Sequence, residues 1–151
     1  MKIDWGLMVS IFTLIVTSII LCITIYGEKR HLLITFGKNS SQDSQSPLYV
    51  IKVINRGKTS ITLDEISIIS SYGLNIPASL SNPSNDHLPI TLDVGKNLIA
   101  IVEDVDMKKN VDKLIQNKYS GKIKLIAEVK DNTKKIYRAK KTIVINLDEY
   151  I

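Results

Sequence analysis

From Trp5 to Gly27 the chain runs for 23 residues without a charged side chain, bracketed by Asp4 and Glu28. At about 1.5 Å per residue a helix of that length covers the roughly 30 Å hydrocarbon core of a bilayer. Many of these residues are Ile, Val and Thr, poor helix formers in water. In lipid the backbone must satisfy its own hydrogen bonds, so helix is the expected state. Trp5 and Tyr26 stand at the two ends, where amphipathic aromatics favour the membrane boundary. A buried core helix is the alternative, but it would normally carry a polar edge. It is also longer than the apolar core of a cleaved signal, and no small-x-small site precedes Glu28. Leu21 precedes Cys22, where lipoprotein processing requires a small residue, so Cys22 reads as a plain membrane-helix residue. Residues 1–27 are therefore expected to be a retained transmembrane anchor.

Lys2 precedes the run, and Lys29, Arg30 and, farther on, Lys38 follow it. Lys and Arg near the helix ends favour the cytoplasmic side, which places the C-terminal domain there. Within the run, Gly6, Ser10, Thr13, Thr17, Thr24 and Gly27 fall on one heptad stripe, with Ile20 at the skipped position. Small and hydroxyl residues on one face let membrane helices approach closely, so the stripe is a candidate helix–helix interface. The competing reading is that the hydroxyls bond back to their own i−4 carbonyls.

Beyond Arg30 the hydrophobic period shortens to two. Residues 31–36 are β-like, and 37–47 (GKNSSQDSQSP) form a flexible polar loop or linker. Residues 48–55 place Tyr49, Ile51 and Val53 on one face. Asn55-Arg56-Gly57-Lys58 supplies a turn, with Gly where positive φ is cheap. In 61–70 the apolar parity switches across Asp64-Glu65, the mark of a bulge. Residues 77–89 hold three of the chain's four prolines and read as an irregular connection. Strands follow at 88–92 and 97–102.

Met107, Val111, Leu114 and Ile115 then have helical spacing, with Asp106 as N-cap and Gly121 beyond the end. In the last hairpin, Ile123, Leu125, Ala127 and Val129 share a face with Tyr137 and Ala139 only if a three-residue loop pairs Val129 with Tyr137. About seven strands, one short helix and no βαβ alternation indicate an all-β, antiparallel β-sandwich over 28–151.

The segment VIKVINRGKTSITLDEISI resembles the Val-x-Asn-x-Gly strand–turn–strand of bacterial immunoglobulin-like domains. LPITLDVGKNLIAIV and EVKDNTKKIYR are similar to later parts of uncharacterised bacterial membrane-anchored proteins of that type. The resemblance spans most of 48–138 and implies an immunoglobulin-like sandwich. It brings no catalytic residues. The usual Asp-x-x-Gly turn is here Asp131-Asn132-Thr133, and the helix near 107–118 is an insertion.

Chemistry finds little material. One Cys and two His leave no basis for a disulfide scaffold or a multi-Cys or histidine metal centre. No Gly-x-Ser-x-Gly or glycine-rich phosphate loop is present. Glu103, Asp104 and Asp106 lack calcium-loop spacing and read as a solvated strand end. Asn39-Ser40-Ser41 matches a glycosylation sequon, a pattern short enough to recur by chance. No enzyme activity, metal or cofactor is expected. Charge is the remaining signal: residues 108–141 carry 12 basic residues against Asp112, Glu128 and Asp131, while 28–107 carry 7 basic and 9 acidic. Lys122, Lys124, Lys130, Lys134, Lys135, Arg138 and Lys140 form a candidate basic face, suited to anionic lipid. Tyr119 and Tyr137 are too few aromatics for a nucleic-acid stacking platform. Lysines on strand edges also serve simply to discourage edge pairing. The reading is a single-pass membrane-tethered interaction module that binds a protein partner, such as another membrane protein, or self-assembles as a homo-oligomer. A small-ligand or signal sensor and an exported surface domain are the alternatives.

Overall fold

In the computed structural model, which describes residues 5–27, 31–39, 48–81 and 87–149, the uncharged run is a single helix, α1 (Trp5–Gly27). Its described apolar side chains stand in the open, Phe12 at 70% and Leu14 at 71% exposure. Among the described residues no helix is long and apolar enough to cross a membrane. The helical backbone itself covers all 23 residues of the run.

The rest is mostly β, in two antiparallel sheets. One has the order β1 (Leu32–Asn39), β2 (Leu48–Asn55), β7 (Asn97–Glu103), β5 (Ser79–Leu80). The other has the order β10 (Ile143–Asn146), β8 (Lys122–Asp131), β3 (Ile61–Ser70), β4 (Asn75–Pro77). β6 (Ile90–Leu92) joins β3, and β9 (Ile136–Arg138) joins β8. A 3-10 turn, Leu147–Glu149, follows β10.

The core lies between the sheets. Tyr49, Ile51 and Val53 of β2 are buried, as their alternation requires, with Ile61, Leu63, Ile66 and Ile68 of β3 and Ile123, Leu125, Ala127 and Val129 of β8. Each large aliphatic taken out of water contributes about 1.5–3 kcal/mol. The parity switch in β3 is a bulge: register with β8 shifts between Leu63 and Glu65, so apolar residues on both sides of Asp64-Glu65 point inward. Val129 pairs with Tyr137. β10 then pairs Ile143 with Leu125, a two-residue slip that keeps the same face inward.

Several boundaries differ from the sequence reading. β1 runs on through Gly37, Lys38 and Asn39, because β2 offers a partner for every residue as far as Leu48. The remainder of the expected loop, 40–47, and the rest of the sequon lie outside the described residues. The proline-rich connection begins at the end of β4, which forms a hairpin with β3, and contains β5, whose hydrogen bonds to β7 are tertiary contacts. The second helix, α2 (Asp104–Gln116), starts at Asp104 with Glu103 as N-cap and no side-chain cap. Asp106 sits in its first turn, and Asp104 is buried with an ion pair to Lys108 at 2.9 Å. The left-handed residue ending α2 is Lys118 (φ 65), whose N–H reaches the Ile115 carbonyl at 2.8 Å. Gly121 lies farther on, just before β8. Met107, Val111 and Leu114 pack inward, and α2 lies against β7 and β4, on the side where the two sheets end in β5 and β4.

Candidate interaction surface

Two groups of polar residues organise the six-stranded sheet. On its outer face Lys130 Nζ meets Glu65 Oε2 at 2.8 Å and Glu128 Oε1 at 3.9 Å, and Arg138 Nε donates to Glu128 Oε2 at 3.0 Å. Asn75 Nδ2 donates to the other oxygen of Glu65 at 3.3 Å. The Lys130 hydrogen bond, then that of Asn75, holds the Glu65 carboxyl below its usual range, and Glu65 in turn raises Lys130.

The second group centres on Asp131, which is fully buried. Its Oδ1 accepts the Thr133 hydroxyl at 2.6 Å and the Thr133 and Lys135 N–H groups at 2.9 and 3.0 Å. Its Oδ2 accepts the Tyr137 hydroxyl at 3.0 Å. Burial pushes this carboxyl up, but the four hydrogen bonds together outweigh it and hold the pKa at about 2. The carboxylate thereby shapes the three-residue loop, in which Lys134 takes the left-handed position (φ 65).

At the turn after β2, Asn55 is fully buried. Its Nδ2 donates to the Thr59 and Leu92 carbonyls at 2.8 and 2.9 Å, and its Oδ1 accepts the Gly57 N–H at 2.9 Å. The side chain, not glycine freedom, shapes this turn; left-handed glycines occur at Gly73, Gly95 and Gly121.

The seven basic residues singled out above are interleaved with acidic side chains. Lys130 and Arg138 belong to the outer-face network, Lys134 pairs with Asp64 at 3.3 Å, and Lys135 lies over the Tyr137 ring at 5.2 Å. Lys122 and Lys124 alternate onto the same side of β8 as Lys130, nearer the other end of the strand, and Lys140 is exposed after β9. Acidic partners on β3 and β8 interrupt the stretch that linear counting showed as cationic.

In α1, Ser10, Thr13, Thr17 and Ser18 donate to the carbonyls four residues earlier at 2.9, 2.8, 2.7 and 2.8 Å. Their hydroxyl hydrogens are thus engaged within the helix. Val9, Ser10, Thr13, Leu14, Thr17 and Ser18 outline a shallow hollow of about 490 Å³ along the helix. Thr24 and Gly27 belong to the helical backbone, but their surroundings lie outside what is described.

Other chemistry is sparse. Among the described residues no group of three His, Cys, Asp or Glu could hold a metal ion. His31 and His87 are exposed, on separate segments. Open hollows of about 350 Å³ beside Lys38, Lys122, β10 and Glu149, and of about 240 Å³ between α2 and Ile76-Pro77, show no nucleophile paired with a base. At the end of α2, Tyr119 stacks on Tyr72 with ring centroids 4.6 Å apart, both partly exposed.

No family model matches the chain, and no curated protein matches it. Among solved structures it is similar to one described as the X-ray structure of Northeast Structural Genomics Consortium target SoR45. The identity is 11% over 78% of this chain and 85% of that chain, with a TM-score of 0.30. A likeness at that score carries no argument about fold or function.

Proposed function

We propose that this protein is a single-pass membrane protein whose β-sandwich acts as an interaction module without catalytic activity. The sandwich would be immunoglobulin-like with α2 as an insertion, held at the cytoplasmic face and binding a protein partner or further copies of itself. One observation carries the reading: an uncharged helix of 23 residues, its described apolar side chains exposed, is joined through residues 28–30 to a sandwich with its own core. Exposed Leu, Ile, Val and Phe on such a helix, from Met8 to Leu21, are costly in water, at about 25 cal/mol per Å², and are at home in lipid. The small-residue stripe gives such a helix a face for a second helix.

The test is fractionation of the full-length protein. It is expected to sediment with membranes, to resist carbonate extraction, and to keep residues 1–27 by mass spectrometry. A mature start near residue 28, or release into the carbonate supernatant, overturns the anchor. A cysteine in the sandwich that only an externally added, impermeant reagent can reach would favour the exported arrangement over the cytoplasmic one.

A further inference from the structure

Connectivity alone identifies the end of the sandwich that lies nearest α1. β1 begins at Leu32, opposite Asn55 at the end of β2, and the His31 carbonyl accepts the Arg56 N–H at 2.8 Å. The Asn55 backbone bonds to Gly95 and Lys96 at 2.8 and 3.1 Å. In the other sheet β3 starts here opposite the end of β6, and the Thr62 carbonyl accepts the Asn132 N–H at 3.0 Å. The start of β1 and the loops 56–60, 93–96 and 132–135 therefore meet at one end. From Gly27 to His31 the chain can span at most about 14 Å. Strands such as β2 and β8 carry the opposite end roughly 25–35 Å farther away.

These loops expose Arg56, Lys58, Lys96, Lys134 and Lys135. They outnumber the carboxylates beside them: Asp93, which accepts the Ser60 hydroxyl at 2.8 Å, Asp64, which pairs with Lys134, and buried Asp131. Arg56, Lys58 and Lys96 form no ion pair among the described residues. Val94, 50% exposed, stands two residues from Lys96 as an apolar tip. None of the three loops has an aromatic side chain on which a base could stack.

The geometry points to an anionic lipid leaflet as the partner of this end, with Arg56, Lys58 and Lys96 as its principal contacts. The inference rests on α1 being a membrane anchor. Each basic residue close to an anionic surface favours the docked state about fivefold, within a Debye length of about 8 Å. Docking would hold the sandwich upright on the leaflet and leave the Tyr72–Tyr119 end facing away from it.

The full-length protein tests this, with Cys22→Ala and one fluorophore on either Thr59→Cys, in the near loop, or Ser71→Cys, at the far end. Each form is reconstituted into phosphatidylcholine vesicles with or without phosphatidylserine, plus a lipid bearing a headgroup quencher. Both forms should float with both kinds of vesicle. Quenching at 59 should rise with phosphatidylserine, fall at high salt, and be lost on combining Arg56→Glu, Lys58→Glu and Lys96→Glu; the label at 71 should stay unquenched. Failure to float with either vesicle overturns the anchor and this inference together. Flotation with quenching at 59 that ignores phosphatidylserine, or that matches position 71, overturns the inference alone.

Discussion

The Tyr137 hydroxyl donates a 3.0 Å hydrogen bond to Oδ2 of Asp131, across the hairpin that joins β8 to β9. This bond ties the outgoing strand to the carboxylate that shapes the loop, so the pairing of Val129 with Tyr137 and the loop conformation support each other.

The depressed Asp131 pKa has a direct consequence for acid stability. Its folded value of about 2 lies below the ordinary 3.8, so the unfolded chain takes up the proton first as pH falls. The stabilisation is complete above the unfolded value and is lost as pH drops through the folded one. Asp131→Asn is expected to cost about 2 kcal/mol at neutral pH, from the size of the shift at 1.36 kcal/mol per unit. The difference from the unmodified protein should shrink as pH approaches 2. Urea titrations from neutral pH downward would check this; a gap that does not change with pH would contradict it.

Lys134 occupies the left-handed region at φ 65, the position held by glycine in the Asp-x-x-Gly turn that this loop departs from. A non-glycine residue pays about 1–2 kcal/mol there, offset in part by glycine's greater entropy loss on folding. Lys134→Gly should therefore raise stability by up to about 1 kcal/mol. The lost pair with Asp64 subtracts little, because the Lys134 side chain is 81% exposed. A drop in the urea midpoint would show that the ion pair outweighs the backbone strain.

Register can be read chemically. The Ala139 N–H donates to the Ala127 carbonyl at 2.9 Å, so these residues face each other with β-carbons about 4.5–5.5 Å apart. With Cys22→Ala, a cysteine pair at 127 and 139 should oxidise readily under air. A pair at 127 and 138, on opposite faces, should stay reduced.

Asn55 joins two loops from inside the protein. Asn55→Ala leaves the Thr59 and Leu92 carbonyls and the Gly57 N–H without this partner, at an expected cost of about 1–3 kcal/mol for each group left buried and unsatisfied. Hydrogen exchange should then accelerate at 57–60 and 92–96 before other regions. Uniform protection across both loops would mean that water replaces the side chain at no cost.

For α1, bulk on the stripe should matter more than bulk beside it. Thr17→Leu is expected to weaken helix association, and Val16→Leu to leave it unchanged. Cysteine crosslinks in membranes, with Cys22→Ala, should peak at 13, 17, 20 and 24 and fade at 15 and 22. A flat profile would make the helix a tether only.

Alternation and local turn chemistry were legible without coordinates. The inward faces of β2 and β8, the β3 bulge, the three-residue hairpin loop and the apolar face of α2 all followed from period and parity, because each is a property of neighbouring residues. Even the buried polar residues left a trace: Asn55 continues the parity of Tyr49, Ile51 and Val53, and Asp131 that of Ile123 through Val129. What local pattern could not supply was the partner of each group. β5 exists because β7, some twenty residues later, offers it an open edge. Nor could the sequence show that acidic groups are set among the cations of its second half: Glu65 and Asp64, some 65 and 70 residues before Lys130 and Lys134, pair with them across the sheet. Arg56, Lys58 and Lys96 looked unrelated in the sequence, and strand pairing alone brings their loops to the end nearest α1. Charge and hydrogen bonding act through space, so their outcome belongs to the tertiary fold, whereas backbone period and parity act through the chain and could be read from it.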